Sequence, residues 1–184
     1  MRIECLGDSI TEGWVTDISG FGWKGHTTYP DTLSEELSHA GIDAVVKNYG
    51  ISGSLITEDS YLRLSGTADM VILLYGLNNY FVDRDPEGLL EINIDEILAQ
   101  GSKLYLLNYP QYPGSEYEYW VDAANSYIAE AAEEKQIELL DARAHFEDLD
   151  VYDALFGSDR VHLSAEGYRE LGKFTAECII KRTA

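Results

Sequence analysis

The chain has 184 residues, 45% of them apolar and 25% charged, enough to bury a core and most simply read as one domain spanning residues 1–184. Its 33 acidic against 13 basic residues give a formal net charge of −20, which repels nucleic acid and anionic lipid, because phosphates are bound by Lys and Arg clusters. No stretch reaches the roughly 18 apolar residues of a membrane span, and the N-terminus passes into an apolar strand with no charged-then-apolar leader, so a cytoplasmic protein without a membrane partner is expected.

In chain order, residues 2–6 read as the first strand, ending in the turn Gly7-Asp8-Ser9-Ile10-Thr11. Residues 13–28, rich in Gly and aromatics, fit no regular pattern. Pro30 suits the start of a helix whose apolar stripe is Leu33, Leu37 and Ala40 and which Gly41 ends. A second strand is expected at 43–48 and a third at 69–75, where the unbroken apolar run 70–74 marks a central strand covered on both faces. Helices are expected at 86–100 and 116–134, around a fourth strand at 103–108. A fifth strand follows at 136–140, then an irregular segment at 141–161. A last helix begins near Ser164 with Leu171, Phe174 and Cys178 on its apolar face. This alternation predicts an α/β protein with a parallel sheet. Cys5 and Cys178 make no disulfide framework and are expected as buried thiols.

Ligands of open parallel α/β sheets bind outside the carboxyl ends of the strands. Four polar or Gly-bearing turns belong to that edge. Ser9 follows the first strand, Gly50–Gly53 the second and Gly76–Asn79 the third; Asp159 and His162 come after the fifth. A serine needs a base to become a nucleophile, and the base needs an orienting carboxylate. Ser9, His162 and Asp159 supply all three, which makes a serine hydrolase the leading reading. His26, His39 and His145 are not expected to take part. No His/Cys/carboxylate cluster has zinc spacing and no nucleotide-binding glycine loop occurs, so neither metal nor cofactor is expected.

These blocks, Leu6–Thr11 (LGDSIT), Asn48–Gly53 (NYGISG), Gly76–Asn79 (GLNN) and Asp159–His162 (DRVH), resemble the SGNH hydrolases, the GDSL-type esterases and lipases, in order and over nearly the whole chain. The resemblance implies a three-layer α/β/α sandwich, flavodoxin-like, with a central five-stranded parallel sheet. It makes Ser9 the nucleophile, His162 the general base and acid, and Asp159 the orienter of the imidazole. The Ser9 and Gly53 N–H groups and the Asn78 side chain become the oxyanion hole. Asn79 stands where the family usually has Asp, which keeps an acceptor, removes a charge and adds two donors. Asn79, Tyr80, Tyr109 and Val161 are the candidate substrate-binding residues.

The implied activity is that of a metal-independent, acetylesterase-like serine esterase. Its substrate would be a small or carbohydrate-linked carboxylic ester, O-acetyl or short acyl. Two aromatic groups stand near the proposed chemistry: Trp14, Phe21, Trp23 and Tyr29, and Tyr109, Tyr112, Tyr117, Tyr119 and Trp120. Their polar-tipped surfaces suit a sugar or a short acyl pocket. The alternatives are a non-catalytic glycan-binding module on the same fold and a flavodoxin-like phosphate binder. The sequence leaves the oligomeric state open.

Overall fold

The computed structural model describes residues 1–84, 86 and 88–183. The chain runs β1 (Arg2–Gly7), α1 (Ser9–Glu12), β2 (Trp14–Thr16), β3 (Gly22–Lys24), α2 (Tyr29–His39), β4 (Val45–Gly50), β5 (Met70–Leu74) and α3 (Leu77–Phe81). It continues α4 (Leu89–Ala99), β6 (Lys103–Leu107), α5 (Glu118–Glu134), β7 (Glu138–Leu140), α6 (Ala142–Leu149), α7 (Tyr152–Leu155) and α8 (Ala165–Thr183). Residue 87 of the helix expected at 86–100, and residues 85 and 184 of the expected domain, lie outside the described residues.

Five strands form one parallel sheet in the order β4-β1-β5-β6-β7. All five residues of β5 are buried, as its unbroken apolar run requires of a strand packed on both faces. Crossovers between parallel strands are right-handed. The path from β1 to β4 runs opposite to that from β5 through β6 to β7, so α2 lies on one face and α4 and α5 on the other. The result is the three-layer sandwich. Strand order reverses between β1 and β5, and the carboxyl ends of these two strands form the crevice where such sheets bind ligands.

Helix α2 starts at Thr28, whose hydroxyl accepts the Asp31 N–H at 3.2 Å, a capping bond that satisfies one free amide of the first turn. It packs on α8 so closely that a Cβ added to Gly172 would stand 2.5 Å from Thr32 Cβ. The buried line of α8 runs through Tyr168, Leu171, Ala176 and Ile179. The expected Phe174 and Cys178 lie beside it, half-buried; Phe174 stacks on His145 at 4.5 Å. Cys178 is thus not a fully buried thiol, whereas Cys5 is, and burial pushes its thiol up to about 12. Among the described residues no helix is long and apolar enough to cross a membrane.

Two segments expected to be irregular contain short regular elements. In 13–28, β2 and β3 form an antiparallel hairpin; its turn is folded around the Asp17 carboxylate, which accepts the Ser19 N–H at 2.8 Å and the Phe21 N–H at 3.1 Å. Three-residue strands are too short to show a period of two. In 141–161, Asp141 caps α6 by accepting the Ala144 N–H at 3.1 Å, and α7 adds a single turn. Only Ala142 and Phe146 of α6 are buried, too few to reveal a helical stripe.

Candidate active site

The turn that carries Ser9 is built by close packing. A Cβ on Gly7 would stand 2.2 Å from Thr11 Oγ1 and 2.5 Å from Leu74 O, and one on Gly50 would stand 2.1 Å from Glu12 N. Only glycine lets α1 lie directly on the ends of β1 and β4. Asp8 caps α1, its Oδ1 accepting the Ile10 N–H at 3.0 Å. The Asn48 side chain donates to Thr11 O at 2.7 Å and accepts the Gly50 N–H at 2.8 Å. Glu12 accepts the Ser52 N–H at 2.7 Å. Ser9 therefore sits at the first position of a turn held from three sides.

Residues 153 apart in sequence meet at this turn: His162 Nε2 lies 2.9 Å from Ser9 Oγ. His162 Nδ1 lies 2.6 Å from Asp159 Oδ2, so the ring carries its proton on Nδ1 and turns the Nε2 lone pair to the serine. The other Asp159 oxygen accepts the N–H groups of Val161 at 3.0 Å and His162 at 2.9 Å. Burial raises the Asp159 carboxyl, but the imidazole and these two amides outweigh it and hold the group below its ordinary value. Gly157 N–H donates to His162 O at 2.8 Å and closes the loop.

Gly53 lies in the exposed loop after β4, in left-handed backbone (φ +71) with nothing within 4 Å of where a Cβ would be. Asn78, in the first turn of α3, donates from its amide to Ser54 O at 3.1 Å. The Gly53 loop and the Asn78 side chain are therefore neighbours at the switch point.

Of the four residues expected to touch substrate, Asn79 and Tyr109 are buried and Tyr80 and Val161 partly so. Asn79 is buried, and its amide grips the backbone of Ile56, accepting the N–H at 2.9 Å and donating to the carbonyl at 3.3 Å. Tyr109 is also buried: its hydroxyl donates to Asp8 Oδ2 at 2.6 Å and accepts the Leu77 N–H at 3.3 Å. Tyr80 and Val161 are half-buried against the core. Of the aromatic residues, Tyr29 is in the core, whereas Phe21 and Trp23 are exposed.

Asp8, next to Ser9 in the turn, is a buried carboxyl. Burial pushes it up to about 6, against the pull of the Tyr109 hydroxyl, the Ile10 N–H and the nearby His162. Burial and the Asp8 charge in turn hold the Tyr109 hydroxyl well above its ordinary value, so it remains a donor. Sequence reasoning gave Asp8 only a turn-forming role and did not link it to Tyr109; a partner 101 residues away leaves no local signal. It also passed over Arg160, whose backbone is left-handed (φ +57) and whose guanidinium lies over the Tyr112 ring at 4.7 Å.

The sequence matches the GDSL-like lipase/acylhydrolase family over residues 5–170. Among solved structures, it is similar to a lipase/acylhydrolase from Enterococcus faecalis at TM-score 0.80 and 23% identity, covering 98% of this chain and 96% of that one. An acetyl xylan esterase superposes at TM-score 0.76 and 21% identity, covering 97% and 100%. A carbohydrate acetylesterase from Sinorhizobium meliloti does so at TM-score 0.76 and 15% identity, covering 98% of each chain. No protein with a curated description matches the sequence significantly.

Proposed function

The chain belongs to the GDSL-like lipase/acylhydrolase family, and from that premise we propose that it is a serine esterase that removes acetyl or other short acyl groups from a carbohydrate or small alcohol. The observation that carries the reading is the relay Asp159–His162–Ser9, with contacts of 2.6 and 2.9 Å. Both contacts are within hydrogen-bond reach before any substrate is present.

In this reading Ser9 Oγ attacks the ester carbonyl carbon while His162 Nε2 takes its proton. The Ser9 N–H, the Gly53 N–H and the Asn78 amide receive the tetrahedral oxyanion. Collapse breaks the C–O bond to the alcohol, which leaves with the proton from His162. Water then attacks the acyl-serine, again giving its proton to His162, and the carboxylic acid departs as the proton returns to Ser9. Asp159 stays ionised throughout and steadies the imidazolium. No step calls on a metal, because the imidazole activates both nucleophiles and neutral amides meet the developing charge.

Tyr109 and Asn79 act here as positioning residues: the first braces Asp8 next to Ser9, and the second fixes the loop that carries Gly53. A carbohydrate ester is favoured by the acetylesterases with the same fold, and a charge of −20 disfavours polyanionic substrates and nucleic acid. Hydrolysis of p-nitrophenyl acetate and acetylated xylan tests the reading: the wild type turns over at least one, and Ser9→Ala neither. Wild-type rates in Ser9→Ala end it.

A further inference from the structure

We propose that the cleft between the β2–β3 hairpin and the His162 loop is the subsite for the alcohol side of the ester, and that it takes an uncharged sugar ring. The proposal rests on the esterase reading above and adds to it a location and a ligand. The cleft measures about 690 Å³, within the range of small-ligand sites.

Both walls adjoin the proposed catalytic residues along the chain, and the cleft is lined by neighbours of Asp159 and His162 rather than by Ser9 or His162 themselves. One is the hairpin, which starts two residues after α1 and contributes Val15 and Trp23. The other is the loop that flanks His162, with Ser158 and Arg160 before it and Ser164 after it. The Ser158 hydroxyl donates to Asp17 O and ties the walls together. A group bound here lies alongside the loop that delivers the general base.

The chemistry of the lining selects the occupant. Trp23 is 42% exposed and stacks with the exposed Phe21 at 6.2 Å, an aromatic surface of the kind that the C–H face of a sugar ring covers. Arg160 stands in left-handed backbone, where a Cβ is disfavoured and glycine is the easier residue. Although the chain has 33 acidic residues, no carboxylate forms a salt bridge with Arg160 among the described residues. Its guanidinium lies over Tyr112, whose hydroxyl donates to Asp153 at 2.6 Å. The fork of N–H donors is therefore held at the cleft and left for hydroxyl oxygens of a ligand. Sugars combine an apolar face with such a polar edge. An acyl chain gives Arg160 and Asp153 nothing to bind, and an anionic sugar meets Asp17 and Asp153 in the same lining.

Two variants and two readouts test the proposal. Trp23→Ala removes the platform; Arg160→Gly removes the fork and relieves the backbone, so it folds readily. In both, the ratio of kcat/KM for an acetylated xylo-oligosaccharide to that for p-nitrophenyl acetate falls at least tenfold. The second readout is calorimetric binding of deacetylated xylo-, cello- and chito-oligosaccharides to Ser9→Ala, where at least one binds and the added Trp23→Ala weakens it at least tenfold. A ratio within twofold of wild type in both variants overturns the proposal. So does a loss confined to p-nitrophenyl hexanoate, which marks an acyl pocket, or the absence of binding by any of the three sugars. Sugar binding that depends on Trp23, in a wild type that hydrolyses no ester, supports the cleft and instead ends the esterase reading.

Discussion

The Tyr109 hydroxyl reaches Asp8 at 2.6 Å while accepting the Leu77 N–H at 3.3 Å. One oxygen thereby joins the turn after β1, which carries Ser9, to the turn after β5, which carries Asn78, with the strut itself rooted just beyond β6. The proposed nucleophile and the proposed oxyanion donor share a brace that is bonded to neither.

Tyr109→Phe keeps the ring and removes the brace. It leaves a buried N–H and a buried carboxylate each short of a partner, a cost of about 1–3 kcal/mol per group. Because the loss falls on alignment, kcat should drop about tenfold, roughly 1.4 kcal/mol of barrier, with KM within twofold of wild type. Steady-state kinetics on p-nitrophenyl acetate check this; a rise in KM with kcat intact would show that Tyr109 touches substrate instead.

Asp8 makes a prediction about pH. Burial pushes its carboxyl from 3.8 up to about 6, so the native state binds this proton more tightly than the unfolded chain does. Its contribution to stability is full below the unfolded value and is lost as pH rises through about 6. Asparagine has no such dependence. The stability of Asp8→Asn relative to wild type should therefore climb between about pH 4 and pH 7, by up to about 3 kcal/mol for a shift of about two units. Denaturant titrations across that range measure the difference, and a flat line would contradict a raised Asp8.

Asn79 grips Ile56 with one donor and one acceptor. An ionised aspartate here would face the Ile56 carbonyl without a proton to give, whereas a protonated one restores the pair. Asn79→Asp should lose about 1–3 kcal/mol at pH 8 and recover most of it at pH 5. Thermal melts at the two values decide the matter; equal melting temperatures relative to wild type would remove Asn79 from the loop-holding role.

Asn78→Ala removes a proposed oxyanion donor, and kcat should fall by about 10²–10³-fold, roughly 3–4 kcal/mol. A kcat within threefold of wild type would take Asn78 out of the oxyanion hole.

Much of the scaffold was legible in the sequence because burial on both faces leaves an unbroken apolar run in β5 and in most of β6, and β1 stands out by Ile3, Cys5 and Leu6 around a buried Glu4; with them comes the sheet edge that carries the turns. The Asp159–His162 pairing was legible because a three-residue step in a tight turn sets carboxylate against imidazole, here at 2.6 Å. That Ser9 meets His162 across 153 residues followed from the order of the blocks, not from local pattern. Asn79 was expected at the substrate because it stands in the Gly76–Asn79 block; its partner, the Ile56 backbone, lies in another loop and leaves no local signal. The hairpin was invisible for a different reason: its turn is ordered by one carboxylate, Asp17, gathering amides, and its strands are too short to alternate.

Reaction with a fluorophosphonate tests the central relay most directly, since only a serine whose proton has a waiting base adds to phosphorus and expels fluoride at a useful rate. Peptide mapping of the treated protein should find one phosphonyl adduct, on Ser9, at near-full occupancy, with His162→Ala cutting the labelling rate by several orders of magnitude. An unlabelled Ser9 in folded wild-type protein, or labelling that persists unchanged without the imidazole, would contradict the mechanism.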